Sequence, residues 1–212
     1  MSPKAMIPIE DIVEAAWKLV GEKGATGLSA RALATKMGTS TMPIYSSIGN
    51  MDELGRLLRE RVARAIAEYQ GRSWSSNSML DAAAGYVHFA RDEPRLFQYL
   101  WQPAEGAERL SLEGLAAMTQ GNSGAIASSG SPEAEDGAGS EQANPEISRF
   151  LASLPRAERG GLEFHVWIFV HGIACLVADG LVDLDDGSLL SHLEAAGGAF
   201  YLYHSQRKEG GA

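Results

Sequence analysis

Residues 28–54, LSARALATKMGTSTMPIYSSIGNMDEL, restrict the fold more than any other stretch of the chain. Ser29 stands where an N-cap is needed, and over Ala30 to Met37 the residues Leu33, Ala34 and Met37 share one face of a predicted helix. Gly38 then offers the backbone freedom of a tight interhelical turn. Thr39 and Ser40 carry capping oxygens, and a second short helix is predicted through Ile48. Pro43 falls in its first turn, where the missing N–H has no intrahelical acceptor to lose. Helix, glycine turn and short helix make a helix-turn-helix, whose second helix enters the major groove of DNA. The alternative is an ordinary helical hairpin of a bundle. It fits less well, because Thr41, Ser46 and Ser47 face outward where a bundle needs a wide apolar stripe.

The surrounding segments also read as helix. Ile9, Ile12, Val13, Ala16, Leu19 and Val20 recur at helical spacing before Gly24. A second stripe runs through Leu54, Leu57, Leu58, Val62, Ala65, Ile66 and Tyr69, with Asn50 and Glu53 at capping-box spacing ahead of it. Further helices are predicted over 78–92, over PRLFQYLW from Pro94, over about 156–180, and from Asp185-Asp186 to near Lys208. No stretch reads as a strand, so the expected class is all-α. The division expected is a DNA-binding domain over 1–50 and a helical ligand-binding and dimerisation domain over 51–212. Within the latter, residues 119–146 are Gly, Ser, Ala and acid with few large apolar groups, and read as a flexible acidic insertion or a ligand-gating lid.

Composition and charge narrow the functional classes. The net charge of −9 argues against a protein that coats nucleic acid non-specifically. Residues 1–72 hold ten Lys and Arg against eight Asp and Glu, while residues 73–212 hold eight against nineteen. That asymmetry suits a DNA-facing head on an acidic body. The single cysteine, Cys175, leaves no internal disulfide framework and suits a reducing cytoplasm. MSPKAMIPIED lacks the apolar core of a signal peptide. LEFHVWIFVHGIACLVADG comes nearest to a membrane span but carries Glu163, two histidines and Asp179, and is expected to be a buried helix.

Taken together, these segments resemble the tetracycline-repressor (TetR/AcrR) family over roughly residues 9–60. GEKGATGLS matches the end of its first helix, ARALATKMGTS its scaffold helix and glycine turn, and TMPIYSSIGNMDEL its reading helix with a central tyrosine. More loosely, EPRLFQYLW resembles the opening of the ligand domain in one subgroup. VWIFVHGIACLVADG resembles that subgroup's Trp…His-Gly signature, through Trp167, His171 and Gly172.

The resemblance implies that Ser40 and Thr41 contact phosphate or base edges and that Met42 faces the groove. Tyr45 is implied to donate its hydroxyl to a phosphate, and Asn50 to sit at the DNA backbone, where helix N-termini favour anions. Thr39 and Ser46 complete the DNA-facing set; Lys36 and Lys4 add ionic contacts, with Arg31 a further candidate. The chain departs from the family at Ser47 and Ile48, and at Met51, where a lysine is usual. The reading helix has no Lys or Arg to grip a guanine.

The same reading expects a homodimer, a small-molecule effector and a palindromic DNA operator, with no catalytic residues, no metal and no cofactor. Phe169, Ile173 and Leu176 with Leu189, Leu193 and Phe200 form the expected dimer surface, relieved by Gly160, Gly161, Gly172, Gly197 and Gly198. Tyr86, Phe89, Phe97, Trp101, Met118, His165 and Trp167 are the expected lining of an aromatic effector pocket. Two other functions compete: a family member that binds ligand or protein but has lost DNA, and a metal-dependent hydrolase. The hydrolase lacks support in spacing, since His165 and His171 lie six apart on different helix faces.

Overall fold

The computed structural model describes residues 7–102 and 156–209. Among these residues there are eight α-helices and no strand: α1 (Ile9–Lys23), α2 (Ala30–Met37), α3 (Thr41–Ile48), α4 (Met51–Gln70), α5 (Ser78–Asp92), α6 (Pro94–Trp101), α7 (Arg156–Ala178) and α8 (Asp186–Glu209). A 3-10 turn, Ala25–Gly27, links α1 to α2. The expected helices are thus all present. The acidic stretch 119–146, Met118 and Lys4 lie outside the described residues.

Two compact units divide the chain, one of Met1–Ala65 with Asp92–Pro103, the other of Ile66–Arg91 with Ala104–Ala212. The first unit runs past residue 50, because Leu54, Leu58 and Val62 of α4 are buried in it. Within this unit α1 packs on α2, α3 and α6, and α2 packs on α3. Its core draws Ile12, Ala16, Leu19 and Val20 from α1, Leu33 and Ala34 from α2, Ile44 and Ile48 from α3, and Leu96 and Phe97 from α6. Ile9, counted with the α1 stripe, is exposed instead: it sits in the first residue of the helix, before the packed turns begin. Polar side chains tie the outside of α1 to its neighbours. Arg61 pairs with Glu14 and lies 4.9 Å from the Trp17 ring centroid, and Arg95 donates to the carbonyls of Gly21 and Glu22 at the end of α1.

The second unit takes the end of α4 with α5, α7 and α8. Gly85 of α5 lies against α4 so closely that a Cβ there would stand 2.3 Å from the Tyr69 carbonyl oxygen. Buried Asp81 closes the intervening loop, accepting from the Trp74 and Ser75 amides at 3.0 and 2.6 Å and from the Ser75 hydroxyl at 2.7 Å. Asp185 caps α8 by accepting from the Ser188 amide at 2.9 Å, which holds its carboxyl below the usual range.

Helices α7 and α8 pack on each other. Gly160–Ala178 of α7 is long and apolar enough to cross a membrane by length and composition, as core helices also are. Only 22% of that window is buried, so the expected buried helix is in fact one with an open apolar face. Ile168 and Leu176 of α7 and Leu202 and Tyr203 of α8 are exposed. Leu189 and Leu193 correct the expected dimer surface. They are 2% and 4% exposed and belong to the subunit's own core.

Candidate nucleic-acid interface

Two glycine turns fix how α3 is presented. The first closes α2. Gly38 adopts φ 64°, ψ 33°, the left-handed region that costs a side-chain-bearing residue energy. Its N–H donates to the Thr35 carbonyl at 3.3 Å, and the Thr39 N–H donates back to the Ala34 carbonyl at 2.9 Å. This pair of bonds is a Schellman closure, which satisfies the last carbonyls of α2 and turns the chain at once into α3. Ser29 caps the other end of α2, accepting from the Ala32 amide at 3.2 Å.

The second turn follows α3. Gly49 adopts φ 75°, ψ −63°, and the Asn50 N–H donates across it to the Ile48 carbonyl at 2.9 Å. These are the dihedrals and the bond of a γ-turn in its strained, left-handed form. Asn50 then caps α4, its Oδ1 accepting from the Glu53 amide at 2.8 Å. The reciprocal half of the expected capping box is not made: the Asn50 N–H is committed to the Ile48 carbonyl, and the Glu53 carboxylate pairs with Arg56 at 2.6 and 3.0 Å. No side-chain cap is made by Ser40 at the start of α3, so its hydroxyl does not perform the capping expected of it.

Between these turns α3 buries Ile44 and Ile48 and shows its other face to solvent. Met42 is 72% exposed and Tyr45 41%. Ser40, Ser46 and Asn50 are also exposed, while Thr39 and Thr41 are half-buried. Ser46 donates its hydroxyl to the Met42 carbonyl at 2.9 Å. Ser47, a departure from the family pattern, donates to the Ile7 carbonyl at 2.7 Å and so ties the segment before α1 to α3.

The cations around this face are largely occupied. Lys36 is paired with Glu22 of α1 at 2.7 Å, and Arg56 with both Glu53 and Glu60. The hydrogen bonds from Lys36 and Arg56 hold the Glu22 and Glu53 carboxyls below the ordinary carboxylate range. Spacing alone carries no sign of the Lys36–Glu22 pair, which joins different helices.

The expected pocket residues fall in both units. Phe97, fully buried, and Trp101 belong to the first; Tyr86, Phe89, His165 and Trp167 belong to the second. Tyr86 and Trp167 meet through a residue missing from the expected lining, His171. Its Nδ1 lies 2.9 Å from the Tyr86 hydroxyl, its ring stacks on Trp167 at 4.7 Å, and its Nε2 lies 3.4 Å from the Cys175 sulfur. Burial pushes the His171 pKa down and, with the Asp179 carboxylate adding to it, pushes the Cys175 thiol up. The spacing of residues 167, 171 and 175, one helical turn apart each, was the available signal. His165 is exposed and stacks with Phe200 of α8 at 6.0 Å, so it lies with the expected dimer residues. Phe169, Ile173 and Phe200 are half-buried, and Leu176 is 44% exposed. Among the described residues no group of three His, Cys, Asp or Glu side chains could hold a metal ion.

No protein-family model matches the chain. Over 62 residues, 29% of this chain and 23% of the relative, it is 37% identical to the HTH-type transcriptional repressor DrrR1 of Streptomyces coeruleorubidus. Over 106 residues, 46% of this chain and 53% of the relative, it is 28% identical to the uncharacterized HTH-type transcriptional regulator YobS of Bacillus subtilis (strain 168). The matches therefore span about a quarter and about half of those two proteins. The crystal structure of a TetR-like transcriptional regulator from Rhodococcus sp. RHA1 superimposes with a TM-score of 0.57 at 17% identity, covering 93% of this chain and 96% of that one. The chain thus has the TetR-like regulator fold, an amino-terminal helix-turn-helix followed by a helical carboxyl-terminal part.

Proposed function

We propose that the chain is a DNA-binding transcriptional regulator, a cytoplasmic homodimer that represses until a small hydrophobic effector releases it from a palindromic operator. The observation that carries the reading is α3. It is a helix of eight residues, held between two turns that only glycine adopts without strain, with Ile44 and Ile48 buried and Met42, Tyr45 and Ser46 outward. A rigid short helix with a solvent-facing, partly polar face is what a reading head requires.

Other features agree with parts of this reading. The open apolar residues Ile168, Leu176, Leu202 and Tyr203, with no atom within 4 Å of a Cβ built at Gly172, Gly197 or Gly198, suit two helices that meet a second copy. A dimer sets two heads about one turn of DNA apart. The Trp167–His171–Tyr86 cluster suits the effector region and agrees with the Trp…His-Gly subgroup. Effector binding would then act as a population shift, favouring a dimer with mis-spaced heads by its differential affinity for the two states. The domain division proposed keeps the helix-turn-helix over 1–50 and gives 51–212 to ligand binding and dimerisation.

The second reading is a regulator-like protein that binds ligand or protein while holding DNA weakly. It is favoured by Met51 in place of lysine and by the internal pairing of Lys36 and Arg56. A gel-shift titration on the DNA beside its own gene, repeated over a salt series, separates the two. The proposal predicts retardation at low salt, and tighter binding by Met51→Lys with a salt slope steeper by about one unit. No retardation by the folded dimer at low salt would sink it.

A further inference from the structure

We infer that Met42 is the residue that sets sequence preference, by packing its thioether on the 5-methyl group of a thymine in the major groove. This rests on the DNA-reading role proposed for α3.

Few chemistries are open to this small face. Thr41–Ile48 is TMPIYSSI and contains no Arg, Lys, Asn, Gln, Asp or Glu. The bidentate pairings that distinguish guanine and adenine by hydrogen bonds alone are therefore absent from this helix. Its chemistry toward a base edge is apolar contact and single hydroxyl groups. Met42 supplies the apolar contact. It is 72% exposed, more than any other large apolar residue among the described ones, and is the second residue of its helix, the end that contacts bases in this motif. The one apolar feature that base pairs offer in the major groove is the thymine methyl.

Ser46 sharpens the choice. It lies one turn beyond Met42 on the same face, about 6 Å along the axis. Its hydroxyl hydrogen is committed to the Met42 carbonyl at 2.9 Å, which leaves its oxygen lone pairs to accept. An apolar contact beside an acceptor is the complement of a T·A pair, which displays the thymine methyl and the adenine N6 amino group in the same groove. A G·C pair offers an amino donor but no methyl. The half-site is accordingly expected to hold a T·A pair beneath Met42, with adenine N6 within reach of Ser46 in that pair or the next.

The test removes the methyl and nothing else. Duplexes are selected from a random pool by the full chain at low salt. In the tightest-binding duplex each thymine is replaced in turn by deoxyuridine, and affinities are read by fluorescence anisotropy. One thymine in each half-site should lose roughly four-fold per contact on demethylation, the worth of one buried methyl at about 0.8 kcal/mol. Met42→Ala should weaken the thymine duplex by at least as much and bind thymine and deoxyuridine duplexes equally, while Met42→Leu retains part of the difference. Indifference of the wild type to the methyl at every thymine overturns the inference and needs no variant to fold. Full methyl discrimination by Met42→Ala overturns it as well. Failure to enrich any duplex overturns the DNA-reading role itself, a result distinct from enrichment without methyl dependence.

Discussion

Replacing glycine by alanine at three positions of the first unit isolates backbone conformation as the force that shapes the reading head. An added Cβ meets nothing within 4 Å at Gly21, Gly38 or Gly49, so packing contributes nothing at any of them. Gly21 lies inside α1, where alanine is the better helix former by roughly 0.5–1 kcal/mol. Gly38 is left-handed at φ 64°, which costs alanine about 1–2 kcal/mol. Gly49, in its γ-turn at φ 75°, ψ −63°, occupies a region that costs on the order of 1–3 kcal/mol. At the last two, the stiffer unfolded chain returns roughly 0.4–1 kcal/mol. Gly49→Ala should therefore lose about 0–2.6 kcal/mol net and Gly38→Ala about 0–1.6, while Gly21→Ala gains. In a chain of this length each kcal/mol moves Tm by roughly 2–4 °C, so the Gly49 variant should melt about 1–14 °C below the Gly21 variant. Calorimetry under identical conditions measures it. A Gly49→Ala protein that melts at or above the Gly21→Ala protein would refute the claim that these turns are held by glycine.

Packing, protonation and charge can each be perturbed at a single residue. Gly85→Ala drives a Cβ into the α4 backbone at Tyr69 and should cost about 1–3 kcal/mol, seen as a lower denaturation midpoint with unchanged helix content. His171 is pushed below its ordinary value of 6.5 by burial, so the unfolded chain takes up the proton first as pH falls. Its contribution is complete above about pH 6.5 and is lost progressively below it; His171→Gln should flatten the stability profile below about pH 6.5. Glu22→Gln releases Lys36 from its ion pair, and DNA affinity at low salt should rise with a salt slope steeper by about one unit, while Lys36→Ala should lower both.

Local rules made most of the fold legible. Ser29 as a cap, Gly38 as a turn, Asn50 ahead of α4 and Pro94 opening α6 each act within one helical turn of themselves, so the sequence displays them directly. What escaped depends on partners distant in the chain. Lys36 reads as a free cation until Glu22, fourteen residues away on another helix, neutralises it. Leu189 and Leu193 share a stripe with residues that remain partly open, and only tertiary packing tells the inward from the outward. The γ-turn at Gly49 left no mark beyond a glycine beside an asparagine. His171 was visible as part of a signature, but its contact with Tyr86 spans 85 positions.

On this reading the face of α3 between Gly38 and Asn50 meets DNA. Amide hydrogen exchange of the full chain, with and without a duplex selected at low salt, tests it most directly. New protection on adding the duplex should fall on the two turns and the start of α4, around residues 38–53, and should disappear as salt is raised. Protection confined to α7 and α8, or none there and none at the turns while the duplex is bound, would contradict it.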